Sequence, residues 1–485
     1  MKRYRIPIAA ALILLPVLAR SVWFYQGIFW QSAILATPNY GAYEIPEPPL
    51  STPAAPETET GSSRAIVLLD QMHENMFAPS ELESLTAILR SRGARVETVA
   101  QGSYDNRTLA DQLKYASAYV TVCPILSFST METQWLQDFV RRGGRLLVLT
   151  DPTRSTVEYD YYGYGTASVT ADIAAANGLL APFDIAFLDD YLYNMSDYEG
   201  NYRNVFLRDF AADPLTRDLS AVVLYAAHSL KTDTGTVLMQ SSRMTKSSRT
   251  DADGIYPVAA LDAGKSVLAV GDMTFLQPPY NQVADNPVLI RRMAEFLLGA
   301  ARVHDLNDFP FLFRREVAIV PMAGVMLSAD LLSPIRSLQM DLAGVGIDSQ
   351  MATAAVDGKD LVLLGTYSSD GVDAYLSPHG IQLPSVSGLS ATGYPQFEIP
   401  GFGSVPAYGI GLILFSQTET RSTLVLLAED STLLAELLGV IGPEGFSNCV
   451  LQGGVAVCGL GSGYGDFGGS WYQPYETTAD SPPVG

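Results

Sequence analysis

Three apolar runs of this 485-residue chain close on an aspartate, at Asp70, Asp151 and Asp272. His73, Glu74 and Asn75 follow the first of them directly. Ligands approach a parallel sheet at the carboxyl ends of its strands, so these side chains would meet at a ligand cleft. Carboxylate oxygens suit a hard divalent cation, and a carboxylate beside His73 suits acid/base chemistry. The bland alternative is that each aspartate caps the turn after its strand. A second candidate set is aromatic. Between residues 154 and 203 the chain is dense in tyrosine and aspartate, and Tyr161, Tyr162 and Tyr164 could stack on a sugar or pack within a polar insert. Other chemistry is missing from the sequence. There is no Gly-x-Ser-x-Gly elbow, no dinucleotide or phosphate loop and no Cys-x-x-Cys. The four histidines (His73, His228, His304 and His379) include no His-x-x-x-His pair, so no metal set and no cofactor is indicated.

The elements that position these residues follow an alternating pattern. Residues 65–70 read as a buried strand and 80–93 as a helix with Leu82, Leu85, Ile88 and Leu89 inward and Gly93 at its end. A second strand and helix follow, then residues 118–152. There the spacing predicts a strand from Ala118 to Cys123 stopped by Pro124, and a helix capped at Ser129 or Thr130. Trp135, Leu136, Phe139 and Val140 form its apolar stripe, Gly143-Gly144 ends it, and a buried strand runs from Arg145 to Thr150. Strand–helix alternation of this kind predicts an α/β fold with a doubly wound, mainly parallel sheet. The strong run before Asp272 and a helix over 285–299 close this first domain, residues 64–300. A smaller α/β domain is expected over 305–460, with strands near 315–321, 359–367, 408–416 and 422–430 and a helix over 431–441. Residues 38–63 are proline-rich and acidic, the composition of an extended linker, and the Gly/Tyr/Pro-rich tail 461–485 is expected to be disordered.

Charge and cysteine usage bear on location. The formal charge is −21, from 51 acidic against 30 basic residues, which excludes a nucleic-acid footprint. Lys2, Arg3 and Arg5 precede an apolar run from Ile6 to Ala19; Arg20 interrupts it, and Trp23, Phe24 and Tyr25 follow. This reads as a single-pass membrane anchor from about Ile6 to Tyr25, with the body outside the cytoplasm. The alternative is a signal peptide cut after Ala19. Cys123 falls in a buried strand. A two-residue turn at Gly453-Gly454 pairs Gln452 with Val455 and sets Cys449 opposite Cys458, within about 5.5 Å at Cβ. A disulfide there agrees with an extracytoplasmic location.

The segments 68–77 (LLDQMHENMF), 131–152 (METQWLQDFVRRGGRLLVLTDP), 256–276 and 285–299 occur in one order. In that order they resemble the bacterial domain of unknown function 4350 family, whose fold is like that of class I glutamine amidotransferases. The resemblance covers about residues 64–300. A working amidotransferase has a cysteine on a Gly-x-Cys-x-Gly elbow and a His-x-Glu pair near the last strand. Here the corresponding stretches read CPILSFST and MTFLQPPYNQ. The resemblance therefore implies the fold and argues against the reaction. It further implies a membrane-anchored binding or scaffold module beside transport or secretion components. Residues 359–376 and 409–441 are similar to the paired α/β units of periplasmic cellulose-synthase subunits, which implies association with the envelope or a glycan. Together these readings predict a scaffold or binding protein of the cell envelope, with an envelope protein or a glycan as partner. The rivals are a metal-dependent hydrolase built on Asp70, His73, Asp151 and Asp272, and a glycan-binding module built on the tyrosines.

Overall fold

The computed structural model describes residues 5–24, 65–100, 108–154, 156–159, 162–163, 165–168, 173–382, 395–418, 420–442 and 445–461. The linker 38–63, the tail from 462, Tyr161 and Tyr164 lie outside the described residues. Residues 1–54 and 55–485 form two compact units. In the first, Arg5–Phe24 is a 20-residue helix, α1, with Pro16 inside it and its apolar side chains from Leu12 to Leu18 exposed. Among the described residues no helix is long and apolar enough to cross a membrane. The expected anchor segment is therefore present as a helix, Arg5–Phe24.

The second unit holds two large sheets. The first contains β1 (Ile66–Asp70), β2 (Arg95–Val99), β3 (Ala118–Val122), β4 (Arg145–Leu149), β5 (Asp209–Phe210), β6 (Thr236–Gln240), β7 (Pro257–Leu261) and β8 (Val267–Val270). Their order is β5-β6-β7-β8-β4-β3-β1-β2. From β8 to β2 all pairs are parallel, while β7, β6 and β5 are added antiparallel at one edge. The expected doubly wound parallel sheet is therefore a mixed sheet, because a short turn joins β7 to β8 as a hairpin and the longer connections from β5 to β6 and β6 to β7 carry short strands in place of crossover α-helices. Helices α2 (Glu83–Ser91) and α5 (Asn286–Leu298) cover one face with Leu85, Leu89, Leu289, Met293 and Leu297. Helices α3 (Leu109–Leu113) and α4 (Thr130–Arg141) cover the other with Leu113, Leu136 and Phe139.

The central strand–helix–strand unit forms as its spacing predicts. Ser129 caps α4 by accepting from the Glu132 amide at 3.2 Å, and Glu132 reaches back to the Ser129 amide at 2.8 Å. Gly143 ends the helix with φ +88°, and a Cβ there would lie 2.2 Å from the Ala301 carbonyl oxygen. Only glycine permits both the left-handed turn and the passage of the chain across it. The strand Val222–Tyr225 was legible as an apolar run, yet it leaves the main sheet and pairs with Asn204–Leu207.

The second sheet contains β9 (Val317–Pro321), β10 (Ser349–Met351), β11 (Asp360–Thr366), β12 (Ile410–Gln417), β13 (Ser422–Ala428), β14 (Cys449–Gln452) and β15 (Val455–Gly459), in the order β10-β9-β11-β13-β12-β15-β14. Helices α6 (Ala329–Gly344) and α7 (Ser431–Gly439) pack Leu331, Ile335, Leu338, Leu434 and Leu437 on one face. Sequence patterning missed α6, which carries Pro334 inside it although its buried stripe of Leu331, Ile335, Leu338 and Leu342 is regular. The β14–β15 hairpin has the predicted register, with Cys449 opposite Cys458, and a disulfide joins them.

Charged side chains of the connecting segment join the two sheets. Arg302 and Asp308 are both buried and lie 3.0 Å apart, and Arg142 at the end of α4 reaches Asp308 at 2.6 Å and Asp305 at 3.0 Å. Arg302 also donates to the Leu113 and Phe139 carbonyls, the last turns of α3 and α4, and lies over the Phe139 ring.

Candidate functional site

At the carboxyl end of the first sheet the chain leaves β1 for β2 on one side and later returns to β3 on the other. The crevice between β1 and β3 is thus a topological switch point, where ligands bind in open α/β sheets. Asp70 ends β1 and is fully buried. His73 sets its Nδ1 3.1 and 2.9 Å from the two Asp70 oxygens. Since a carboxylate can only accept, this nitrogen carries the proton. Thr121 of β3 donates to Asp70 at 2.9 Å, and Asn75 donates to Thr121 at 2.8 Å. Phe128 stacks on the imidazole with centroids 3.6 Å apart, and Nε2 lies 3.8 Å from Glu132. Burial works against charge on Glu132, but hydrogen bonds from the Ser129 hydroxyl and amide, aided by His73, outweigh it and lower its pKa. The buried Tyr119 phenol, next to this cluster, is driven well above its ordinary value by burial and by Asp70. Asp70, His73 and Asn75 are therefore brought together, as their spacing suggested. Glu74 is not: it is exposed, with φ +49°.

Asp151 and Asp272 meet in a second cluster. Thr153 donates to one oxygen of Asp151 at 2.6 Å and Thr274 to the other at 2.7 Å. Asp272 accepts from the Tyr225 and Thr274 amides at 2.8 and 2.7 Å. Its carboxyl is held well above the ordinary range, first by burial and then by the neighbouring Asp151. Two carboxyls this close in a dry site retain a proton. Among the described residues no group of three or more His, Cys, Asp or Glu is arranged to hold a metal ion.

Cys123 lies next to this pair. The strand expected to contain it ends at Val122, and Cys123 sits just past the end with φ +47°. A left-handed residue at that point costs about 1–2 kcal/mol, and the chain bends there and runs on without regular structure until α4 begins at Thr130. The thiol is buried and its pKa is pushed well up, by burial first, then by Asp151, with Arg154 opposing. Thiolate chemistry needs the reverse, an electropositive and accessible sulfur. Above these strand ends lies an open groove of about 600 Å³, lined by Met76, Phe77, Glu81, Thr153, Arg154 and Gln277 among others. Arg154 spans it to Glu81 with contacts of 3.0 and 3.1 Å.

Residue types and strand ends marked Asp70, His73, Asp151 and Asp272. Thr121, Glu132, Thr274 and Arg154 were missed, since their partners lie 51, 59, 123 and 73 residues away along the chain. Of the tyrosines singled out, Tyr162 alone is described, and it is 81% exposed. Three tyrosines of the insert pack together: Tyr193 meets Tyr191 and Tyr202, and Arg203 lies over Tyr191 and Tyr202.

No family profile matches the chain, and no characterised protein matches it in sequence. Among solved structures, the N-terminal domain of mmIFT52 aligns at a TM-score of 0.38 and 14% identity, covering 49% of this chain and 99% of that one. A putative ThuA-like protein from Bacteroides uniformis aligns at 0.30 and 12%, covering 49% and 94%. The glutaminase domain of the Trypanosoma brucei CTPS aligns at 0.26 and 8%, covering 48% and 93%. Likenesses this distant carry no functional argument. The strand order and parallel core define the class, an α/β protein built on a mixed sheet.

Proposed function

We propose that this chain is an extracytoplasmic binding or scaffold protein of the cell envelope, held to the membrane by its N-terminal segment, with a catalytically silent amidotransferase-like body. The observation that carries the silence is Cys123. It occupies the bend after β3 where a nucleophile would stand, but its thiol is buried beside two carboxyls and is held protonated. His73 turns its Nδ1 to Asp70 and its Nε2 towards Glu132. The Cys449–Cys458 disulfide and the basic residues ahead of α1 support an outward-facing body. On this reading the chain is an outlying relative of the domain of unknown function 4350 family.

Two measurements on the full chain test it. External protease added to intact spheroplasts should digest the body; full protection would overturn the location. Iodoacetamide should alkylate Cys123 at least about tenfold more slowly in the folded protein than after unfolding. Rapid alkylation at neutral pH would revive a thiol enzyme.

A further inference from the structure

The insert between β4 and β6 carries a three-stranded antiparallel sheet made of Leu192–Asn194, Thr245–Ser247 and Asp253–Gly254. Leu192, Asn194, Thr245 and Ser247 are buried, so period-two alternation turns Tyr193 and Lys246 to the outer face. Thr245 pairs with both Asn194 and Gly254, and Met195, Met244 and Ile255, the residues next to these three, leave their strands at the same end of the sheet. They are 66%, 61% and 44% exposed, an apolar row along that end. Tyr202 borders the row, since its carbonyl accepts from the Asn194 amide at 2.7 Å and its ring meets Tyr193. Exposed tyrosine, methionine and arginine together are the composition of interaction hot spots.

Charge selects the occupant. The carboxylates of this surface are engaged: Asp197 with Arg208, Asp251 with the Tyr193 hydroxyl at 2.7 Å, and Asp253 with Lys246 at 3.6 Å. Arg203, Arg243 and Arg249 are exposed and have no carboxylate partner among the described residues. In a chain with 51 acidic and 30 basic residues, Arg243 directly before Met244 and Arg249 just past the Thr245–Ser247 strand are two unengaged cations and a local reversal of sign, while Arg203 is held over the Tyr191 and Tyr202 rings. Ring faces and edges flanking a shallow apolar row fit an extended chain, and tyrosine ledges favour the preformed polyproline II helix.

We infer that this face is a docking surface for an extended, acidic, proline-rich segment of a partner protein. None of Met195, Met244, Ile255, Arg243 and Arg249 lines the strand-end groove, so the inference holds whether or not that cleft is catalytic.

The test uses the full chain in detergent and three labelled peptides in fluorescence anisotropy: repeats of Glu-Pro-Pro, of Lys-Pro-Pro and of Glu-Gly-Gly. The Glu-Pro-Pro repeat should bind saturably and weaken on adding salt, with the other two at least about tenfold weaker. The double variant Arg243→Ser/Arg249→Ser should weaken binding about tenfold, as should Met244→Ser. Met340→Ser, exposed on α6 of the second sheet, should leave binding unchanged. Circular dichroism confirms that each variant is folded. Equal binding of Lys-Pro-Pro overturns the charge argument, and equal binding of Glu-Gly-Gly overturns the polyproline argument. No saturable binding of Glu-Pro-Pro at millimolar concentration overturns the inference outright.

Discussion

The two ends of the first sheet both bury charge, and they do so in opposite ways. At the amino end, α4 delivers Arg142 and the connecting segment delivers Arg302, and both close on Asp308. Burial alone would raise the Asp308 carboxyl, but His304, Arg302 and Arg142 outweigh it and leave the pKa lowered. Burial pulls the Arg302 guanidinium down to about 10, still charged at neutral pH. At the carboxyl end, Asp151 faces Asp272 and Cys123 lies beside them, so like meets like and protons stay bound. The amino end is therefore a joint between two sheets. The carboxyl end is a site whose acids are poised, shielded from water and not matched by cations.

The largest effect should come from unmatching the joint. Arg302→Leu strands two helix-end carbonyls and leaves Asp308 to Arg142 and His304, and it should cost about 3 kcal/mol in urea unfolding, the low end for a broken buried pair. A loss below about 1 kcal/mol would mean that the joint contributes no more than a surface pair. Next in size is Thr121→Val, which removes the hydroxyl that donates to Asp70 and accepts from Asn75. Both partners are then stranded, for about 1–3 kcal/mol on the same measurement. Removing the α4 cap with Ser129→Ala should cost about 1 kcal/mol and raise the Glu132 pKa, readable by carbon-13 NMR of the carboxyl. An unmoved Glu132 would detach the capping box from the His73 cluster.

The pH dependence separates the two ends by sign. Asp308 has a folded pKa below its model-compound value of 3.8. Its contribution is complete above 3.8 and is lost as pH falls through the lower folded value. Asp272 has a folded pKa above 3.8, so the native state keeps a proton that the unfolded state has released. Stability therefore falls as pH rises from 3.8 towards the folded value, and it stays at the lower level beyond. Subtracting the Asp308→Asn profile from wild type should leave a limb on the acid side. Subtracting Asp272→Asn should leave a decline with rising pH. Two differences of the same sign would erase the contrast between the ends.

Much of this architecture was legible in residue order because its causes are local. The stripe Leu136, Phe139 and Val140, the Ser129 cap and the Gly143-Gly144 stop define α4 within residues 129–144. The Gly453-Gly454 turn fixes the register that pairs Cys449 with Cys458. Strand-end aspartates pointed to the carboxyl end of the sheet because every strand of a parallel core delivers its last residues to one side. The α6 helix was missed despite its regular stripe, since a proline inside a run reads as a helix breaker.

What the sequence by itself determined is the set of local elements: which stretches are strands or helices, where they stop, and which cysteines can pair. Each of these rests on interactions across a few residues, where chain connectivity supplies the partner. Tertiary structure alone decided the rest. It set Asp151 against Asp272, gave Asp70 its Thr121 donor and placed Arg302 on Asp308. It also turned Met195, Met244 and Ile255 into one row. Those partners come together only when the sheet order is fixed, and that order depends on which apolar faces bury each other across the whole molecule.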